Sequence, residues 1–92
     1  MARITVERSH MLGREAARAK AEQLAERLAR QYELRHHWEG DALIFKRKGA
    51  DGRIEVAEDR VRVELNLGLL LSALSGTIKR EIEKGLDESL QA

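Results

Sequence analysis

Apolar and polar residues alternate most regularly in the last third of the chain. Val61, Val63, Leu65 and Leu67 interleave with Arg60, Arg62, Glu64 and Asn66, the period of a strand with one buried face. The spacing then changes to Leu67, Leu70, Leu71, Leu74, Ile78 and Ile82, the period of a helix. This predicts a strand that runs directly into an amphipathic helix able to fold back over it.

The same reading extends towards the N-terminus. Ile4 and Val6 oppose Arg3, Thr5 and Glu7, giving a first strand over residues 2–8. Residues 9–13 form a turn. Arg14 to Tyr32 is rich in strong helix formers, and Ala17, Ala21, Leu24, Leu28 and Tyr32 make one stripe. The alanines thin that stripe at its start, where the helix should come closest to a sheet. Leu34, His36 and Trp38 alternate with Arg35, His37 and Glu39, giving a second strand. Gly40-Asp41 suits a tight turn with glycine first. Leu43 and Phe45 point inward on a third strand, with Ile44 outward. Gly49 to Gly52 reads as a turn, Ile54 and Val56 as a fourth strand, and Glu58-Asp59 as the last turn before Arg60.

Ser75-Gly76-Thr77 interrupts the final segment. With Ser75 as an N-cap, it divides into a short helix over 68–74 and a longer one over 77–90. Ile78, Ile82, Leu86 and Leu90 stripe the longer piece. Gly85 lies inside that piece, at a cost of about 1 kcal/mol relative to alanine; close packing on the sheet would account for it.

The order β-α-β-β-β-β-α predicts an α+β domain with a five-stranded, mainly antiparallel sheet of strand order 1-5-4-3-2. Two helices cover one face, in a reduced helix-grip-like arrangement. The other face should carry Arg3, Glu7, Arg35, Glu39, Arg53, Glu55, Arg62 and Glu64, with cross-strand charge pairs keeping it soluble.

At 92 residues the chain makes one domain over 1–92. Without cysteine, it has no disulfide to brace the core and no thiolate for chemistry. Aromatics are 3% of residues, so the core must rest on Leu, Ile, Val and Ala. No apolar run reaches the roughly 18 residues of a membrane span, and the first residues lack an apolar signal core. The expectation is a cytoplasmic protein with no transmembrane segment. The 17 Lys and Arg against 16 Asp and Glu give a net charge of +1. The signs are interspersed, which argues for a solvated surface and against a nucleic-acid partner.

Candidate chemistry is sparse. Adjacent strand residues point to opposite faces, so His36 and His37 cannot share a metal, and His10 is remote in sequence. His36 should sit at a rim beside Trp38, with His37 exposed. The carboxylates at 58, 59, 81, 83, 87 and 88 lie in a turn and on a helix's polar face, not in a cleft that would separate their pKa values. Ser9 and Ser75 read as turn and cap residues. Gly49 and Gly52 precede a strand, so no helix N-terminus follows to hold a phosphate. No catalytic residue, metal site or cofactor is therefore expected. Leu69, Leu70 and Leu71 are more informative, because three consecutive leucines on a helix cannot all face one sheet. Leu70, Leu71 and Leu74 suit the core, while Leu69, with Ala73 at i+4, would look away. Either the segment wraps a corner and buries all three leucines, or Leu69 and Ala73 form a small exposed patch for a partner, a lipid-like ligand or an apolar surface.

The sequence resembles the polyhydroxyalkanoic acid system family, the polyhydroxyalkanoate granule-region proteins. The resemblance runs through residues 4–10 (ITVERSH), 12–18 (LGREAAR), 38–41 (WEGD), 51–56 (DGRIEV), 61–65 (VRVEL) and 70–78 (LLSALSGTI). Met11 departs from the polar residue expected before Leu12-Gly13. The resemblance implies a small bacterial protein of storage-polyester metabolism that acts at the granule surface or on a granule protein, and it implies no catalytic residue. Three functions follow as expectations. The first is a non-enzymatic accessory protein that binds a surface or partner. The second is a small apolar-ligand-binding module of helix-grip type, although 92 residues leave little room for a pocket of roughly 300 Å³. The third and weakest is an enzyme. Homodimerisation through strand two or the open sheet face is a further expectation.

Overall fold

The computed structural model describes residues 2–90. Five strands form one sheet: β1 (Ala2–Ser9), β2 (Arg35–Glu39), β3 (Ala42–Arg47), β4 (Ala50–Val56) and β5 (Arg60–Leu67). Their order is β1-β5-β4-β3-β2, as the periodicity predicts, and every neighbouring pair is antiparallel. Three helices complete the fold: α1 (Arg14–Tyr32), α2 (Leu69–Ser72) and α3 (Ser75–Leu90).

One sheet face is apolar. Ile4, Val6, Leu43, Phe45, Ile54, Val56, Val61, Val63 and Leu65 are buried there against Ala17, Ala21, Leu24 and Leu28 of α1 and Ile78, Ile82 and Leu86 of α3. α3 lies mainly over β1 and α1 over β4, and the two helices touch. A Cβ on Gly85 would stand 2.7 Å from Leu24 Cδ1. The glycine expected to admit the sheet instead admits a leucine of the neighbouring helix.

The turns follow backbone chemistry. Gly40 and Gly49 have φ of 62° and 85°, in the region that glycine enters without a Cβ penalty. The β3–β4 turn is shorter than the predicted Gly49–Gly52 loop: Arg47 pairs with Ala50, which leaves only Lys48 and Gly49 as the link. Gly52 is a strand residue opposite Phe45 and Leu65. A Cβ there would sit 2.2 Å from the Glu64 carbonyl oxygen and 2.7 Å from Leu65 Cδ2. Gly52 thus marks close approach of β4 and β5 and makes no turn.

The start of α3 departs from expectation, while α1 ends at Tyr32 as read. α3 starts at Ser75, and the Ile78 N–H donates to the Leu74 carbonyl at 2.9 Å. Ser75 therefore lies inside the first turn and is not the cap two residues before it. α1 is capped by Glu33, a left-handed residue with φ 57°, while the Leu34 N–H donates to the Ala29 carbonyl at 3.1 Å. Glycine more often holds that position.

Candidate docking surface at one end of the sheet

The outward sheet face carries charged side chains, as predicted. Its best-fixed group is Glu64, whose side chain is only 11% exposed. Arg3 donates to one of its oxygens at 3.1 Å, and Arg62 approaches the other at 2.9 Å. The Arg3 hydrogen bond, with the fields of Arg62 and Arg53, holds the Glu64 carboxyl below the usual range. Like Arg62–Glu64, the Arg53–Glu55 pair at 3.5 Å joins residues two apart on the same strand. Arg60–Glu7 at 3.4 Å crosses between strands. These pairs neutralise the part of the face over β1, β5 and β4, whereas Arg35 and Lys46 stand opposite each other on β2 and β3.

The remaining candidates have local partners, except the buried Nε2 of His10, which has none among the described residues. His36 lies half-buried with its ring 6.3 Å from that of Phe45. His37 is exposed, and its Nε2 is 2.7 Å from Glu39 Oε2. His10 is buried in the loop before α1, where its Nδ1 accepts the Leu12 N–H at 3.2 Å. Among the described residues no three His, Asp or Glu side chains come close enough to hold a metal ion. Glu83 and Asp87 both bind Arg8, at 3.5 and 2.8 Å. Glu81 accepts hydrogen bonds from the Tyr32 hydroxyl at 2.7 Å and Gln31 at 2.9 Å. Burial and that Glu81 bond push the Tyr32 phenol up to about 12.

The space between helices and sheet is filled. The gap lined by Leu28, Tyr32, Leu34, Ala50, Leu65, Leu67, Leu71 and Ile78 measures about 10 Å³, no more than a single water requires. An apolar-ligand module of helix-grip type has no room in this layer.

The end of the sheet where β5 leaves is different. The Gly68 N–H donates to the Gly49 carbonyl at 2.7 Å, and a Cβ on Gly68 would stand 3.1 Å from that oxygen. The chain is thus clasped to the β3–β4 turn just before α2. Ser72 Oγ donates back to the Gly68 and Leu69 carbonyls at 3.0 and 3.1 Å, which closes α2 as a single tight turn. Only Leu71 of the leucine run packs on the core. Leu69 is 83% exposed, Leu70 92% and Leu74 43%, and Ala73 is exposed as well. The outward placement of Leu69 and Ala73 agrees with the second of the two sequence readings; the first, in which the segment wraps a corner and buries all three leucines, does not hold, since Leu69 and Leu70 are exposed. Nor does the assignment of Leu70 and Leu74 to the core. One turn of helix pinned at its base cannot roll far enough to bring them down.

Beside this apolar knuckle lies an open groove of about 770 Å³, lined by Glu33, Arg35, Lys46, Arg47, Lys48, Asp51, Asn66 and Gly68 among others. Arg35 stands opposite Lys46 in the ladder. Arg47 is spent on the Tyr32 and Lys48 carbonyls. Arg35, Lys46 and Lys48 have no carboxylate partner among the described residues. Pattern reading passed over this basic cluster, although the Lys46-Arg47-Lys48 run was its visible sign.

The fold and this end surface define a small α+β protein: a bare charged sheet face, a closed core and one apolar, basic tip. The model of the family described as "Putative polyhydroxyalkanoic acid system protein" matches residues 4–90, and the chain belongs to that family. No curated protein matches it. In fold it is similar to the NMR structure of PA4090 from Pseudomonas aeruginosa. The TM-score is 0.55 at 14% identity, over 99% of this chain and 92% of that one. Among the described residues no helix is long and apolar enough to cross a membrane.

Proposed function

We propose that this protein is an accessory of polyhydroxyalkanoate storage-polymer metabolism that catalyses no reaction. It acts in the cytoplasm by docking on the surface of a storage granule, or on a protein of that surface, through Leu69, Leu70, Ala73 and Leu74. The observation that carries this reading is the exposure of three leucines on and beside one short helix. A leucine buried on contact contributes roughly 1.5–3 kcal/mol. One such side chain gives millimolar binding at best, while three together bring reversible, roughly micromolar attachment within reach. The family supports the setting.

Co-sedimentation of the purified protein with polyhydroxyalkanoate particles tests the proposal. Wild type should pellet with the particles, and a Leu69→Ser/Leu70→Ser variant of unchanged melting temperature should stay in solution. Wild type that remains wholly soluble beside both bare and native granules removes the proposal.

A further inference from the structure

The apolar knuckle and the basic groove are continuous, because Gly68 lines the groove and Leu69 follows it directly. Taken alone, exposed leucines would fit any apolar surface, and unpaired cations any anion. Their juxtaposition is more selective. It matches a boundary where acyl chains lie beneath anionic headgroups: leucines enter the chains while lysine and arginine stay at headgroup level.

Two other occupants fit less well. A second copy meeting this end across a two-fold axis would bring like basic clusters together. A nucleic acid would use the cations but leave Leu69, Leu70 and Leu74 facing water, and the only aromatics of the chain, Tyr32, Trp38 and Phe45, pack on or within the core and are not free to stack on bases. The net charge of only +1 gives little long-range attraction of its own, so any preference for anions must come from the local cluster.

We propose that this tip recognises an anionic amphiphile layer, with Arg35, Lys46 and Lys48 set at the phosphate-bearing headgroups and Leu69, Leu70 and Leu74 below them. This rests on the docking reading above and names the chemistry of the surface. It also sets an orientation, with the sheet strands running away from the boundary and the opposite turns, at Gly40-Asp41 and Glu58-Asp59, farthest from it.

Vesicle flotation with the full chain decides it. Phosphatidylcholine vesicles are compared with vesicles that also contain phosphatidylglycerol, and lipid-free polyhydroxyalkanoate particles form a separate arm. Binding should require the anionic lipid and weaken with added salt. It should fall about fivefold for each of Lys46→Gln and Lys48→Gln, with unchanged melting temperatures. Lys84→Gln removes the same charge from α3 and should leave binding intact. Binding to bare polymer with no gain from anionic lipid overturns this inference and leaves the granule proposal standing. Binding to anionic vesicles but not to bare polymer, lost in the two lysine variants, upholds it; failure to sediment with native granules as well would then overturn the granule proposal separately. Equal losses in Lys46→Gln and Lys84→Gln would show that only total charge matters, and would overturn the assigned site.

Discussion

The two ends of the sheet are finished in opposite ways. At the end holding the β2–β3 turn, Asp41 meets Arg14 at 3.6 Å and Arg18 at 3.0 Å. Arg18 also donates to the Gly40 carbonyl at 2.8 Å and stacks 3.9 Å over the Trp38 ring. At the opposite edge of the sheet Arg8 joins β1 to Glu83 and Asp87 of α3. Here charges fasten helices to strands. At the end holding the β3–β4 turn, Arg35, Lys46 and Lys48 go without carboxylates and three leucines stand in solvent. A small domain with little surplus stability gains nothing in folding from that arrangement. The contrast separates residues that hold the fold from residues left free to meet something else.

Four measurements test the contrast, in order of decreasing effect. Gly52→Val would drive a side chain into the Glu64 carbonyl and Leu65. It should cost roughly 3 kcal/mol or more and leave little folded protein in a thermal melt. A folded, native-like Gly52→Val would show that β4 and β5 are not held so closely. Asp41→Ala removes the shared partner of Arg14 and Arg18 at the fastened end. A loss of about 1 kcal/mol in urea titration is expected, shrinking at high salt; no loss would mean that the two ends differ only in appearance.

The third measurement uses Tyr32, the single tyrosine of the chain. Its folded phenol pKa is about 12 against the ordinary 10.0. The unfolded chain therefore sheds this proton first. The stabilisation from the neutral hydroxyl is whole below pH 10 and disappears as pH rises towards 12. Ultraviolet titration should place tyrosinate formation near pH 12, and Glu81→Gln should bring it down. A value near 10 would mean that neither the burial of the ring nor the bond to Glu81 holds in solution. The smallest effect is expected at the unfastened end. Leu70→Ser should change stability by no more than about 0.5 kcal/mol, whereas Ile82→Ala in the core should cost about 3 kcal/mol. A large loss from Leu70→Ser would show that the knuckle is structural.

Much of this architecture could be read in the sequence, because strands with one buried face and helices with one stripe leave different periods. Strand order, both long helices and the shared face followed from that. Gly52 was misread because a glycine in a strand and a glycine in a turn look alike until the neighbouring backbone is seen. Leu70 and Leu74 were misread because they share the helical spacing of Ile78 and Ile82, and the sequence, which did show the division near Ser75, carries no sign of the clasp between Gly68 and Gly49 that fixes the short helix. Leu69 and Ala73 were found because they fall off the stripe under either description. The basic side of the tip shows in the sequence only as the run Lys46-Arg47-Lys48; that Arg35 joins it depends on the pairing with Lys46 across strands.

Gly85 carries a consequence for how this layer tolerates change. With Leu24 seated in the notch it leaves, α1 and α3 interlock over the strands. A methyl group added there would act as a spacer.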